Sequence, residues 1–299
     1  MPGSLSLFVQ IFIPLSVFCL MICVGLELRI ADFRRMLTYP RAVATGIVGQ
    51  MILMPSMAFL IALLFTDDLV FQIGIVLLAA CPGGPLSNSF VYVARGRTDL
   101  SVSLTAINGF LALLTTPLIA TLGIKIFAGE HADINLPVLK TIMQIFLLAI
   151  LPVVIGMSIR ARFPAFADRR QISAQRLGTV LLISHIFLVI FLNKERIAAG
   201  MSQMIVPAML FCILAQCIGY FTAMAAGLDR DTRFTIGIEV GLQNVVLAVL
   251  IANVSLQRPE FSIFVVNYAF GVIFVMIPWV FIYRYLGNRH KKLKTLNAH

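Results

Sequence analysis

Charge is scarce in this chain. Asp, Glu, Lys and Arg make up 12% of its 299 residues against 60% hydrophobic, and the mean hydropathy is +0.98. Soluble domains carry about twice that share of charge, so a soluble fold is excluded and an integral membrane protein embedded in a lipid bilayer is expected. Also missing are a His-Glu-x-x-His motif and a pair of intramembrane aspartates. An intramembrane enzyme would therefore lack its catalytic pair, and Ser87 or Ser89 as nucleophile would need a base that His185 is not obviously placed to supply. The five cysteines (Cys19, Cys23, Cys81, Cys212, Cys217) lie in apolar runs without metal-ligand or secreted-scaffold spacing, which reads as buried free thiols. No patch interleaves aromatic and basic residues, so the net charge of +10 does not point to nucleic acid.

What the chain has in abundance is apolar runs, and a helix of roughly 20 apolar residues crosses about 30 Å of hydrocarbon. Read in order they predict an all-α polytopic membrane protein of nine transmembrane helices, at 5 to 28, 41 to 65, 70 to 95, 99 to 126, 138 to 160, 174 to 193, 203 to 226, 232 to 254 and 261 to 286. The longest polar outside loop separates the fourth from the fifth. Tyr39-Pro40 starts the second span, Thr66-Asp67-Asp68 ends it, and Gly96-Arg97-Thr98-Asp99 forms a turn with an N-cap before the fourth. No basic residue precedes the first run and Arg29, Arg34 and Arg35 follow it, the reverse of a cleavable signal peptide, so it is read as a retained helix.

Loop charge gives the orientation. With the N-terminus outside, the successive inside segments hold four, two, five, two and five basic residues, 18 of the 23 Lys and Arg. The positive-inside rule then places the C-terminus, with its basic tail from 288 to 299, in the cytoplasm.

Two of the nine runs are interrupted. Cys81-Pro82-Gly83-Gly84-Pro85-Leu86-Ser87-Asn88 breaks the third and Ile238-Glu239-Val240-Gly241-Leu242-Gln243-Asn244 the eighth. Lipid cannot hydrogen-bond a broken backbone, so such breaks persist only where they are buried in protein or line a cavity. Lying five spans apart, the two run in opposite directions. This is the pattern of an inverted repeat, residues 1–126 lacking a leading helix and 137–287 complete, whose interrupted helices meet near the bilayer midplane.

Glu239 lies about seven residues, or roughly 10 Å, inside its span, and no Lys or Arg occupies the middle of any span. Such a carboxylate must take up a proton, hydrogen-bond in a wet vestibule, or find its partner in a bound cation. Gly241 ends the half-helix beside it, offering the carbonyls of Glu239, Val240 and Leu242, and Gln243 adds a side-chain oxygen; hard oxygens at a negative helix end suit a small alkali cation. At the first break, Ser87 and Asn88 open the second half-helix, and Ser101 and Thr105 lie one turn apart in the next span. Serine and threonine in membrane helices usually bond their own i−4 carbonyl, which is the plain alternative for each.

Gly-Leu-Glu-Leu at 25 to 28, Pro-Gly-Gly then Ser-Asn at 82 to 88, Ala-Arg-Gly at 94 to 96 with Leu-Ser-Val at 100 to 102, and Ile-Glu-Val-Gly-Leu-Gln-Asn at 238 to 244 resemble the bile acid:sodium symporter family. The resemblance implies a panel domain and a core domain built on two crossing broken helices, with alternating access. It also implies two sodium ions as coupling ions. The first would use Ser87, Asn88, Ser101, Thr105 and Glu239; the second would use Gln50, Glu239, Gln243 and the carbonyls of Val240 and Leu242. By the same resemblance Asn244 is a substrate contact, and Pro85 replaces a small polar residue on the face that meets substrate. Asn108 and Asn267 are further polar candidates inside spans.

The expectation is a monomeric sodium-coupled importer of an organic anion, bile-acid-like or a small organic acid, in the cell membrane. A proton-coupled carrier with Glu239 as the titrating group is the alternative. A metalloid exporter with Cys81 as thiolate ligand is a third reading.

Overall fold

The computed structural model describes residues 2–29, 31, 38–65, 67–129, 137–192 and 194–296. Arg34, Arg35, most of the expected outside loop between the fourth and fifth runs, and the side chain of His185 lie outside the described residues. Every element among them is helical: α1 (Pro2–Glu27), α2 (Pro40–Phe65), α3 (Leu69–Ala80), α4 (Leu86–Ala94), α5 (Thr98–Ala128) and α6 (Val138–Arg162). There follow α7 (Pro164–Leu192), α8 (Lys194–Ala225), α9 (Arg230–Gly241), α10 (Val245–Ser255) and α11 (Ser262–Leu296).

Local chemistry sets the starts. Pro40 occupies the first position of α2. Asp68 caps α3 by accepting from the Val70 N–H at 3.0 Å, and Asp229 caps α9 by accepting from Asp231 and Thr232 at 3.1 and 3.0 Å. Burial acts to raise the Asp229 carboxyl, but hydrogen bonds from Thr232 and the nearby Arg97 charge outweigh it and hold the group below the usual aspartate range. The turn before α5 differs from expectation. Arg97 stands at the N-cap position and makes no side-chain cap, because a guanidinium has no acceptor to offer; its backbone N–H is directed to another helix.

Among the described residues three helices contain wide, π-type turns, at Gly49–Leu53 within α2, Phe146–Ile150 within α6 and Ile251–Ser255 at the end of α10. The first two lie just before a proline, Pro55 and Pro152, whose missing N–H and bulky ring disrupt the regular ladder one turn back. In α2 the wide turn is closed by Met54 N–H donating to the Gly49 carbonyl, and it carries Gln50.

Among the described residues five stretches are long and apolar enough to cross a membrane: Pro40–Phe65, Thr98–Ala128, Val138–Arg162, Gln203–Ala225 and Pro259–Tyr285. Their outer faces expose Leu60, Leu63, Leu64, Phe110, Leu114, Leu118, Phe274 and Phe281, a surface suited to lipid. The interrupted helices are different. In α3 every residue from Phe71 to Ala80 is buried, and in α9 every residue from Phe234 to Gly241. A helix buried all round is a central one. Around this centre α8 packs on α9 and α11, and α3 on α2, α5 and α11, whereas α1 packs chiefly on α6 and α7.

All five cysteines are free. Cys23, Cys81 and Cys212 are buried as expected, while Cys19 and Cys217 are partly exposed on their helices.

Candidate functional site

The two breaks pair with each other. Gly83 and Gln243 form an isolated antiparallel β-bridge, in which the Gly84 N–H donates to the Leu242 carbonyl at 2.7 Å and the Asn244 N–H to the Pro82 carbonyl at 2.9 Å. Backbone groups that lipid could not satisfy thus satisfy one another. The approach leaves little room for a side chain, least of all at Gly84. A β-carbon on Gly84 would stand 2.9 Å from the Gln243 carbonyl oxygen, and one on Gly83 3.0 Å from Oε2 of Glu239.

Glu239, with 1% of its surface exposed, meets side chains from two other helices. Ser87 Oγ on α4 donates to Oε1 at 2.6 Å, Ser101 Oγ on α5 contacts the same oxygen, and Thr105 Oγ1 donates to Oε2 at 3.0 Å. Asn88 Oδ1 lies 2.8 Å from Ser101 Oγ and 3.4 Å from Thr105 Oγ1. The five side chains of the first expected set therefore form one cluster. Elsewhere Thr45, Ser56, Thr115, Thr121, Ser158 and Thr222 bond their own i−4 carbonyls. Ser101 and Thr105 turn away from theirs and toward the acid.

Proton bookkeeping defines the chemistry. Three hydroxyls supply three protons to a carboxylate and an amide oxygen, and what remains on the oxygens of these groups is lone pairs; the Asn88 NH2 is the only other donor group of the five side chains. In its ionised form this carboxylate places one negative charge in an apolar interior with no Lys or Arg bonded to it among the described residues. Rotating the hydroxyls would present a cage of hard oxygens to a small cation.

The second expected set is also gathered, with a difference. Gln50 Nε2 donates to Gln243 Oε1 at 2.8 Å and to the Cys81 carbonyl at 3.2 Å, while Gln50 Oε1 is buried without a partner. The Val240 carbonyl accepts from Gln243 Nε2 at 2.6 Å, and the Leu242 carbonyl accepts from Gly84. Two carbonyls expected to face a ligand thus already hold protein donors, and the free oxygen of the group is that of Gln50.

Two cavities flank the crossing, and Pro85 and Asn244 line both. One of about 110 Å³ lies against α1, α5 and α6; the other, about 320 Å³, lies against α1, α7 and α11, with Glu27 and Ser89 among its few polar groups. Asn108 and Asn267 line neither. Asn267 Nδ2 donates to the Ile263 carbonyl of its own helix at 2.9 Å, and Asn108 is buried with neither amide atom paired. Cys81 Sγ donates to the Leu77 carbonyl at 3.3 Å, as a packed thiol does.

Sequence reasoning missed the far side of α9. Tyr268 Oη donates to the Gly241 carbonyl, which also accepts from Cys212 Sγ at 3.5 Å, and Gln216 donates to that sulfur at 3.4 Å. Tyr268 sits among phenylalanines in α11 and carries no local signal of this role.

The chain matches the sequence model of the Sodium Bile acid symporter family over residues 14–200, which includes the first break, Gln50 and the start of α5 but not the second break. It is similar to a probable chloroplastic sodium/metabolite cotransporter (BASS2) of Oryza sativa subsp. japonica, 29% identical over 80% of this chain and 56% of that protein. It also resembles the uncharacterized sodium-dependent transporter YocS of Bacillus subtilis (strain 168), 26% identical over 84% of this chain and 76% of that one. With the human sodium/bile acid cotransporter 4 it shares 26% identity over 84% of this chain and 57% of the human one, so it spans little more than half of the rice and human relatives. More than half of the chain lies within the family match, and the protein belongs to the Sodium Bile acid symporter family.

Proposed function

We propose that the protein is a sodium-coupled secondary transporter that imports an organic anion, bile-acid-like or a small organic acid, by alternating access. The carrying observation is Glu239: a buried carboxylate met by Ser87, Ser101 and Thr105, beside the Asn88 oxygen, with no basic side chain bonded to it among the described residues. A first sodium ion takes these oxygens, and a second takes Gln50, Gln243, Glu239 and the carbonyls of Val240 and Leu242. Two sodium ions against one carboxylate leave the centre at about +1, which draws an anion to the starts of α4 and α10 near Pro85 and Asn244. Import is then electrogenic, assisted by about 2.3 kcal/mol per charge per 100 mV.

In this reading nine spans cross the cell membrane, the N-terminus outside and the basic C-terminal tail in the cytoplasm. Residues 1–126 and 137–287 are inverted repeats. Helices α1, α6 and α7 form the panel, the remaining helices form the core around the crossing, and the monomer is the working unit.

The test is uptake into proteoliposomes, together with thermal melting of the purified protein, in sodium against potassium at equal ionic strength. Sodium-dependent uptake and sodium-specific stabilisation are expected; equal behaviour in both salts overturns the proposal. Glu239→Gln removes the only charge in the cluster and should weaken sodium binding by about 3 kcal/mol or more, over roughly 100-fold. A variant that keeps its sodium response and loses only pH dependence would favour proton coupling instead.

A further inference from the structure

Helices α5 and α9 start on the same side and are joined at two levels. The inner contact is Ser101 with Glu239; four residues earlier on both helices, Arg97 meets Thr235. Thr235 is fully buried and donates its hydroxyl proton to the Asp231 carbonyl of its own helix at 2.8 Å. Its lone pair is thereby turned outward, and the backbone N–H of Arg97 donates to it at 2.9 Å. The same Arg97 residue accepts, through its carbonyl, the Ser101 N–H at 3.0 Å. One residue thus connects Thr235 to a member of the oxygen cluster.

The surroundings hold that connection still. A β-carbon on Gly96 would come within 3.1 Å of Thr235 Oγ1, so the turn is seated directly on α9. The Arg97 guanidinium lies 4.0 Å above the Tyr39 ring and bonds Asp99 at 3.0 Å and Thr232 at 3.4 Å. Residues rise 1.5 Å along a helix, so a slip of α5 against α9 by less than one residue would move Ser101 and Thr105 off Glu239.

We infer that Thr235 is a positioning residue for the cation cluster: its hydroxyl fixes the axial register of α5 against α9, and so the reach of Ser101 and Thr105 to Glu239. The inference rests on the cation reading above. It is tested on the full-length protein by thermal melting across a sodium chloride series, with choline chloride holding ionic strength constant. Thr235→Val keeps the shape and removes the lone pair, and should raise the sodium concentration for half-maximal stabilisation by about tenfold. Thr235→Ser keeps the lone pair and should stay within about twofold. In a Ser101→Ala background the valine change should add much less than it does alone, as coupled positions do. Thr235→Ala carries the same test if valine crowds Gly96.

An unchanged half-point in the valine variant, or equal shifts for valine and serine, overturns the inference and leaves the cation reading standing. A lower melting temperature with an unchanged half-point shows a merely structural role and overturns it too. Wild-type protein that ignores sodium overturns the cation reading itself.

Discussion

Between Ala80 and Leu86 the chain has two residues without an N–H and two without a side chain, whereas between Gly241 and Val245 it has Leu242, Gln243 and Asn244. The first break is written into covalent structure: no helix continues through Pro-Gly-Gly-Pro. The second depends on contacts. Tyr268 takes the Gly241 carbonyl, Gly84 takes that of Leu242, and Asn244 caps α10 by accepting from Leu247 at 3.1 Å. The locally encoded break contributes neutral oxygens and the contact-dependent one contributes the charge. A centre assembled this way has one rigid wall and one wall that exists only when its neighbours are in place.

Three substitutions probe that contrast. Gly84→Ala should have the largest effect, because its β-carbon would meet the Gln243 backbone oxygen at 2.9 Å and force the breaks apart. A loss of about 1–3 kcal/mol, read as a lower melting temperature with a blunted sodium response, is expected; normal melting would show that the bridge does not hold the second break. Tyr268→Phe leaves the Gly241 carbonyl with only the Cys212 thiol and should cost about 1–2 kcal/mol in the same assay. If it melts like wild type, the second break is encoded as locally as the first. Pro85→Ala should have the smallest effect, below about 1 kcal/mol, since Pro82, Gly83 and Gly84 still break the helix. Ligand titrations should show altered organic-anion affinity at an unchanged sodium half-point. A drop matching that of Tyr268→Phe would mean the first break also hangs on a single residue.

The sequence made the charged part of this site legible because a carboxylate inside an apolar run is anomalous wherever it lies. Ser87, Asn88, Ser101 and Thr105 were legible by proximity to a proline-glycine break; the structure brings Ser87, Ser101 and Thr105 to Glu239, and Asn88 to Ser101 and Thr105. Gln50 came only through the family resemblance. A regular helix gives no reason to aim it at the crossing, and the wide turn that carries it is signalled only by Pro55 downstream. Tyr268 was illegible because its partner lies 27 residues away and nothing in a Phe-rich run distinguishes one ring that carries a hydroxyl. The carbonyls of Val240 and Leu242 were visible as free groups of a helix end, but their donors, Gln243 and Gly84, become apparent only once the two breaks meet.

The Gly83–Gln243 bridge also constrains how the protein is made. Gly83 leaves the ribosome 160 residues before Gln243 (position 83 against 243), an interval on the order of 10–30 s at ordinary synthesis rates. During that time the Pro82 carbonyl and the Gly84 N–H have no native partner, and each unsatisfied backbone group in hydrocarbon carries a penalty of several kcal/mol. On the nine-span reading proposed above, the first half is expected to wait in the translocon, beside an insertase or near the headgroups, before it settles at full depth. Late codons decide when an early helix pair becomes stable in the membrane, so truncation after α8 should leave the first half a substrate for membrane proteases.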